Sequence, residues 1–347
     1  MTEAAPLPSG KRTWLDPAWR DEALGWARRQ LTTLGRRMVG PIEQPHVRSW
    51  STAFRIPTDG GTTWFKATGP GPAHEGPLLE VFRDRGVANV LLPLAVHPDR
   101  PWILFDDGGP TLRQTRPDGT GDHDLVAWER ILREYAALQR SLESDDAVAA
   151  MFAAGVPDGR PEALPGELAR LLDDDDAWDR LHDDEREEGR TARARLRGQL
   201  PEVAAAAAEL TGIGIHPSVQ HDDLHGGNIL VGPLGDRFFD WGDAVVAHPF
   251  STLAVTFNSI AHRTALSQDD PAFARLNAVY LEAWADVAPP PAVARAARLA
   301  RGFGCLNRAL NWERALIGVA DEELAEFGDS IAGWVIEFAD RFDAVNR

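Results

Sequence analysis

The sequence predicts an α+β protein with two lobes, a small N-lobe built on an antiparallel sheet and a large helical C-lobe. Short segments of strand pattern, with a turn at Asp59-Gly60-Gly61, occupy the first third of the chain. Long stretches of helical periodicity dominate the part after residue 110. With 347 residues, 44% of them hydrophobic, the chain can bury a large core as one two-lobed unit.

The N-terminal elements follow from local signals. A helix over 16–34 begins at Asp16-Pro17 and stops before Gly35, and we expect it to pack on the N-lobe. The other N-terminal predictions are a hairpin of strands 52–56 and 62–66, a helix over 74–85, and strands 90–94 and 102–105. These elements divide the chain into a helical extension (1–40), an N-lobe (41–109) and a C-lobe (110–347).

In the C-lobe, helices are predicted over 124–144, 191–210, 253–264, 293–316 and 322–342. The last three should wall the substrate site. The acidic run 173–188 fits a solvated surface, and a lining of the substrate entrance is the alternative interpretation.

Residues 221–228, HDDLHGGN, form the most specific pattern in the chain, and Asp240-Trp241-Gly242 follows twelve residues after Asn228. The first block fits H-x-D-L-x-x-x-N, in which the Asp accepts the proton of an attacking hydroxyl and the Asn binds magnesium. The second block fits D-F-G with Trp in place of Phe, and its Asp holds magnesium against nucleotide phosphates. Together the two blocks predict a phosphoryl-transfer site.

The residues between these blocks predict a turn that brings them together. Residues 229–239 read as two short strands joined by a tight turn. Such a hairpin returns Asp240 to the neighbourhood of Asn228, where water and phosphates can complete the octahedral shell that Mg²⁺ prefers. Gly226-Gly227 is expected to supply a sharp bend through positive φ angles.

Other interpretations of these residues are open at this point. Taken alone, an Asp in a polar loop is usually a turn former, and a lone His is usually a structural residue. A second chemical alternative is a hydrolase metal cluster of His216, His221, Asp222, Asp223 and His225. That cluster leaves Asn228 and the Asp240 block without a role, so the joint spacing favours phosphoryl transfer.

Lysine is nearly absent from the chain, which makes Lys66 informative. Only Lys11 and Lys66 are lysines among 36 basic side chains, yet Lys66 lies within the predicted apolar strand. A compact ammonium suits a tight phosphate pocket, whereas a structural lysine with its stem on a sheet could equally be Arg. Lys66 is therefore predicted to bind nucleotide phosphates, oriented by a carboxylate of the next helix. Spacing alone does not choose between Glu75 and Glu80.

The loop before the hairpin departs from the usual phosphate-binding pattern. No Gly-x-Gly-x-x-Gly sequence precedes strand 52–56, and residues 48–52, RSWST, hold that place. Backbone amides and hydroxyls of a Ser/Thr turn, Ser51 among them, would have to cover the phosphates instead.

Taken together, these residues resemble the aminoglycoside phosphotransferase-type small-molecule kinases, a family built on the protein-kinase fold, and within it actinobacterial branches of unassigned substrate. The resemblance runs from about Val47 to the C-terminus. It is carried by Trp50-Ser51, residues 64–67, Glu75 with Leu78-Leu79, residues 102–105 with Gly108-Gly109, Leu138-Gln139, residues 221–228, residues 240–244 and residues 248–250.

The resemblance implies a role for each matching residue. The candidate catalytic residues are Asp223, Lys66 and His221, and Asp223 is implied as the catalytic base. The implied magnesium ligands are Asn228 and Asp240, the implied phosphate cation is Lys66, and its implied partner is Glu75 rather than Glu80. The stretch 105–108, with Asp106 and Gly108, lies where the hinge of the family receives adenine.

Two departures from the family pattern concern the acceptor. Asp222 stands where Gly is common, and it could tune Asp223, bind a cationic substrate or face solvent, of which the sequence favours the last. His225 stands where protein kinases carry Lys, which argues against a protein substrate. With Asp243, these two residues are the candidate substrate contacts.

The sequence thus predicts a cytoplasmic kinase that uses Mg²⁺ and ATP or GTP to phosphorylate a hydroxyl of a small polar molecule. Asp222, Asp243 and the other C-lobe carboxylates suggest an amine-bearing acceptor such as an amino sugar or an aminoglycoside-like antibiotic. The alternative is a catalytically silent homologue that binds a nucleotide or metabolite as a regulatory module.

Composition limits the partners. A net charge of −17 argues against nucleic acid or an anionic membrane as a partner. The chain has no signal-like or membrane-spanning run, and its single cysteine, Cys305, suits a reducing compartment. We expect a monomer or a homodimer.

Overall fold

The computed structural model describes residues 7, 9–233 and 235–346. Positions 1–6, 8, 234 and 347, which fall in the predicted extension, turn and C-lobe, lie outside the described residues. The helices are α1 (Lys11–Leu15), α2 (Pro17–Thr33), α3 (Glu75–Asp84), α4 (Leu125–Ser141), α5 (Asp145–Ala153), α6 (Leu164–Asp173), α7 (Asp175–Asp179), α8 (Arg186–Gly212), α9 (Leu253–Thr264), α10 (Pro271–Leu281), α11 (Pro290–Ala315), α12 (Asp321–Phe327) and α13 (Asp329–Asn346). The strands are β1 (Glu43–Val47), β2 (Ser51–Thr58), β3 (Gly61–Thr68), β4 (Ala95–Val96), β5 (Trp102–Asp106), β6 (Asp158–Gly159), β7 (Ser218–Gln220), β8 (Ile229–Leu230), β9 (Arg237–Phe238) and β10 (Val245–Ala247).

An antiparallel sheet of five strands, in the order β1-β2-β3-β5-β4, forms the N-lobe. The predicted hairpin is β2–β3, and Gly61 opens its second strand with a φ of 110°, a conformation that favours glycine. Successive side chains of a strand point to opposite faces. Phe65 is fully buried on one face, so the neighbouring Lys66 points to the opposite face, toward the cleft.

The N-terminal helices cover the outer face of this sheet with aromatic side chains. Asp16 caps α2 by accepting a hydrogen bond from the Trp19 N–H. Trp26 of α2 lies against Phe65 and Trp102 of the sheet, with ring centroids 5.9 and 6.1 Å apart. Helix α1 also reaches the other lobe, where the Lys11 ammonium contacts the Glu326 carboxylate of α12 at 2.7 Å.

The C-lobe is built from helices around two small sheets, β6-β10-β7 and the hairpin β8–β9. The buried Gln139 of α4 donates to the Val219 carbonyl at 2.9 Å and so fixes β7, the strand that leads into residues 221–228. Among the described residues, no helix combines the length and apolarity needed to cross a membrane. The predicted α+β architecture of a small antiparallel N-lobe and a large helical C-lobe is confirmed.

Two predicted elements are wrong in detail. Residues 90–94 do not form a strand, because Pro93 interrupts them and the pairing with β5 begins only at Leu94, whose N–H donates to the Leu104 carbonyl. Val90 instead makes an isolated bridge to Phe238 in the C-lobe. The single helix predicted over 322–342 is two helices, α12 and α13, which meet at Gly328.

Candidate active site

The Lys66 ammonium lies between two carboxylates from separate segments of the chain. It is 2.6 Å from Glu75 Oε2 at the start of α3 and 2.5 Å from Asp240 Oδ1 after β9. The alternative partner, Glu80, pairs with Arg83 on its own helix. We call Lys66, Glu75 and Asp240 the lysine cluster.

The charges of the lysine cluster support one another. Burial lowers the pKa of Lys66, but Asp240 and Glu75 outweigh burial and raise it above its usual value. Burial raises the pKa of Asp240, and Lys66 outweighs that effect and holds it at about 2. Asp240 is therefore ionised at neutral pH, as a metal ligand requires.

Asp223 lies in the loop after β7, and three side chains surround its carboxylate. Asn228 Nδ2 donates to the Asp223 carbonyl at 3.0 Å and to its Oδ2 at 3.1 Å. His225 Nε2 lies 3.5 Å from the same oxygen. Arg308 of α11 contacts the other oxygen, Oδ1, at 3.1 Å. Burial raises the pKa of Asp223, and Arg308 and His225 offset only part of that rise.

Arg308 is the main residue of this site that sequence reasoning missed. Its guanidinium contacts Asp243 Oδ2 at 2.5 Å as well as Asp223, and we call these three residues the arginine cluster. A helix was predicted over 293–316 as a wall of the substrate site. Its polar neighbours Asn307 and Asn311 are buried as well, but burial by tertiary packing leaves no pattern in the sequence that could have singled out Arg308.

Asp222 does not face solvent, contrary to the sequence-based expectation. Its side chain is fully buried, its carboxylate accepts a hydrogen bond from Asn311 Nδ2, and burial raises its pKa well above the usual range. Its φ of 57° is left-handed, which few residues other than glycine adopt. Asp222 lines neither cavity of the site, so the structure does not bring its side chain to a position open to a substrate. Asp243 does line a cavity beside the loop 221–228, but its carboxylate is paired with Arg308.

His221 is also buried, and its role in the geometry is to hold the neighbouring loop. Its Nε2 lies 2.9 Å from the Phe239 carbonyl, next to Asp240, and its ring packs on Trp241 at 4.6 Å between centroids. Burial lowers the pKa of His221, so the ring is neutral at neutral pH. Among the described residues it contacts the backbone beside Asp240, and it lines neither cavity of the site.

The glycines of the motif do not act as expected. Positive φ angles occur at Asp222 and Asp240, whereas Gly226 and Gly227 have ordinary ones. Gly226 is needed for a different reason, since a Cβ there would collide with the Asp122 side chain. The close approach of the loop to Asp122 excludes a larger residue.

Two cavities meet at the lysine cluster. The hinge cavity, of about 460 Å³, is lined by His46, Ser51, Ala53, Trp64, Phe65, Lys66, Glu75, Leu91, Phe105, Asp106, Asp107, Gly108, Gly109, Thr111, Gln114, Leu230, Phe239 and Asp240. The loop cavity, of about 390 Å³, is lined by His46, Arg48, Trp50, Ser51, Lys66, Thr68, Pro72, Arg113, Asp223, His225, Gly227, Asn228, Asp240, Gly242 and Asp243. They share His46, Ser51, Lys66 and Asp240, so the two cavities adjoin at these residues.

The structure places the predicted nucleotide residues around the hinge cavity. Ser51 Oγ lies 3.2 Å from His46 Nε2, at the junction of the two cavities. Asp106 pairs with Arg36, whose Nη2 lies 3.1 Å from Asp106 Oδ2. Gly108 packs against Leu230 so closely that a Cβ would collide with the leucine side chain. The hinge backbone therefore lies directly on the apolar floor of the cavity.

The metal-hydrolase interpretation finds no support in the described part of the chain. No group of three or more His, Cys, Asp or Glu side chains there is arranged to hold a metal. Asn228 and Asp240 both line the loop cavity, and an amide and a carboxylate oxygen suit Mg²⁺ when phosphates provide further ligands. The donor set fits magnesium better than zinc.

Comparison with known proteins relates this geometry to a family. Residues 72–290 match the family model APH, described as phosphotransferase enzyme family. No curated protein sequence matches the chain.

Similar solved structures include three small-molecule kinases. The Cryptosporidium parvum choline kinase has a TM-score of 0.59 and 13% identity, with 94% of this chain and 96% of that chain covered. The Plasmodium vivax ethanolamine kinase has a TM-score of 0.55 and 13% identity, with coverage of 85% and 82%. A macrolide 2′-phosphotransferase type I has a TM-score of 0.51 and 14% identity, with coverage of 91% and 98%. The expected kinase-like fold is thereby confirmed.

Proposed function

The chain belongs to the phosphotransferase enzyme family, and on that premise we propose that it transfers the γ-phosphate of ATP or GTP to a hydroxyl of a small polar molecule. One observation carries the proposal. The lysine cluster lies where the hinge cavity meets the loop cavity, and Asp223 and Asn228 lie on the far side of that junction. A phosphate donor and an acceptor can thus be held on opposite sides of one set of charges.

The hinge cavity suits a nucleotide. Its volume of about 460 Å³ and its apolar side chains, such as Leu91, Phe105 and Leu230, can hold a base against the hinge. Asp106 and Gly108 lie at the end where the base would sit, and Ser51 and Lys66 at the end of the phosphates. Lys66 offsets charge on the transferring group because both of its partners keep it protonated.

Asn228 and Asp240 would hold magnesium. The bound ion supplies positive charge that gathers the phosphates and neutralises charge developing on them. Asn228 also bonds the Asp223 carboxylate, so one side chain links the metal position to the base. Asp223 orients the acceptor hydroxyl and accepts its proton.

We further propose that the acceptor carries an amine, as in an amino sugar or an aminoglycoside-like antibiotic. Asp222 and Asp243 do not carry this proposal, because Asp222 is buried and Asp243 is paired with Arg308. Two observations support it. Trp50 lines the loop cavity and packs on Trp312 and Phe327, and aromatic faces attract cations. The neighbours of similar fold include a choline kinase and an ethanolamine kinase.

The test is magnesium-dependent nucleotide turnover against a panel of acceptors. ATP and GTP are each offered with amino alcohols, amino sugars, aminoglycosides and macrolides, and each amine is paired with its neutral hydroxyl analogue. We expect phosphorylation of an amine-bearing acceptor, with an apparent affinity that weakens as salt rises.

Three outcomes distinguish the amine-specific kinase from its alternatives. Equal turnover of amines and neutral analogues would remove the amine proposal but keep the kinase. Nucleotide binding without turnover of any acceptor would favour the silent, regulatory homologue. Absence of nucleotide binding would contradict the proposed function as a whole.

A further inference from the structure

Helix α11 brings one side chain, that of Arg308, from a distant part of the chain into contact with Asp223. Arg308 contacts Asp223 Oδ1 at 3.1 Å and Asp243 Oδ2 at 2.5 Å, and its side chain is only 12% exposed. It joins the loop after β7 to the segment after Asp240. A planar guanidinium with five donors can hold two carboxylates in a fixed mutual geometry.

Arg308 also holds the backbone that carries Asp223. Its Nη1 donates to the Asp222 carbonyl at 3.1 Å, which belongs to the peptide directly before Asp223. Asp222 has a left-handed φ of 57°, a conformation that costs free energy in a residue with a Cβ. The hydrogen bond from Arg308 stabilises that conformation and thereby the direction of the Asp223 side chain.

The helix fixes the position of the guanidinium. Gly304 brings α11 so close to the Ser251 backbone that a Cβ would collide with it. Asn311 Nδ2 donates to the Asp243 carbonyl at 2.7 Å, and the guanidinium lies over the Trp312 ring at 5.4 Å from its centroid. Arg308 is therefore held before any acceptor binds.

This contact lies outside the part of the chain that the family model describes. The match ends at residue 290, where α11 begins. We propose that Arg308 is a positioning residue for phosphoryl transfer, which aims the Asp223 carboxylate at the acceptor hydroxyl by fixing both its oxygen and its backbone. The inference rests on the proposed function of the site.

The experiment compares Arg308→Met and Arg308→Lys with Arg301→Met in the full chain. Arg301 is a matched control, because it is a half-buried arginine of the same helix. It contacts Gln268 and the Phe257 ring, and neither lies in the loop 221–228. We expect Arg308→Met to lower kcat by about 10- to 100-fold, the usual scale for misplacement of a reacting group. The KM for the nucleotide should stay close to that of the unchanged protein. Arg308→Lys should restore part of kcat, and Arg301→Met should keep it.

A double-mutant cycle with Asp223→Asn separates positioning from general loss of structure. If Arg308 acts through Asp223, Arg308→Met should have little further effect on kcat in the Asp223→Asn background. Equal losses in both backgrounds, or full kcat for Arg308→Met, would overturn the inference. Should Arg308→Met fail to fold, the cycle is run with Arg308→Lys. Absence of turnover in the unchanged protein would overturn the proposed function and this inference with it.

Discussion

The lysine cluster and the arginine cluster have similar charges, but the pKa of one carboxylate is lowered in the first and raised in the second. In each, one cation lies between two carboxylates that come from separate segments of the chain. Lys66 outweighs burial and holds the pKa of Asp240 at about 2, whereas burial prevails at Asp223 and raises its pKa. A metal ligand benefits from permanent charge, and a proton acceptor benefits from greater basicity. The difference matches the roles proposed for the two carboxylates.

The largest effect is expected at Asp223. In Asp223→Asn, kcat should fall by about 10²-fold or more, the scale of general-base loss, because the amide cannot accept the proton. Nucleotide affinity should stay nearly unchanged, since the lysine cluster is intact. Steady-state kinetics and calorimetric nucleotide titration measure the two quantities. Full activity of this variant would show that Asp223 is not the proton acceptor, and the proposed difference in role between the two clusters would be wrong.

The two proposed magnesium ligands, Asn228 and Asp240, should differ in how strongly they bind the ion. Asp240→Ala should weaken binding of the magnesium nucleotide by about tenfold or more, and Asn228→Ala by less, because a full charge attracts the divalent ion more strongly than an amide does. Titration of Mg²⁺ at fixed nucleotide concentration compares the two variants. An unchanged magnesium dependence in Asp240→Ala would contradict its role.

Glu75 and Glu80 provide a matched pair on one helix. Glu75→Gln should lower kcat/KM for the nucleotide by about tenfold, or about 1.4 kcal/mol, because Lys66 would then be drawn to Asp240 alone. Glu80→Gln should change the free energy of unfolding and the activation free energy by no more than about 0.5 kcal/mol, because its ion pair with Arg83 is exposed and contributes little. Equal effects of the two substitutions would mean that Glu75 does not orient Lys66.

The smallest effect concerns stability in acid. A carboxylate whose pKa is depressed in the folded state stabilises the fold above its unfolded pKa, and this contribution is lost as pH falls through the folded value. For Asp240 the window runs from about pH 4 down to about 2. The stability advantage of the unchanged protein over Asp240→Asn should therefore shrink across that window. The effect should be modest, because the Asp240 side chain is 46% exposed. Urea unfolding at several pH values measures it, and a constant difference would show that Lys66 does not depress this pKa.

The two clusters also mark where prediction from the sequence succeeds and where it stops. The strand with Lys66, the helix with Glu75 and the hairpin that returns Asp240 are local structures with recognisable patterns, and the chain forms them. Residues 90–94 do not form the predicted strand, because the local sequence does not reveal that Val90 pairs with Phe238 of the C-lobe.

The surroundings of Asp222 show the second limit. Its burial depends on Arg308 and Asn311, which lie 86 and 89 residues further along the chain. A short motif identifies the carboxylates of a site but not the cation that a remote helix brings to them. The orientation of α11 is a consequence of tertiary packing, and one sequence gives no pattern for it.

The scarcity of lysine in this chain has a consequence for protein chemistry. Acylating reagents attack neutral amines, and the chain has only two lysine side chains. Lys66 is 16% exposed and is held protonated by two carboxylates, so it should react slowly. Lys11 is 34% exposed, and among the described residues its ammonium pairs with the carboxylate of Glu326. A fluorophore or surface linker attached through a lysine side chain should therefore enter at Lys11, which lines neither the hinge cavity nor the loop cavity.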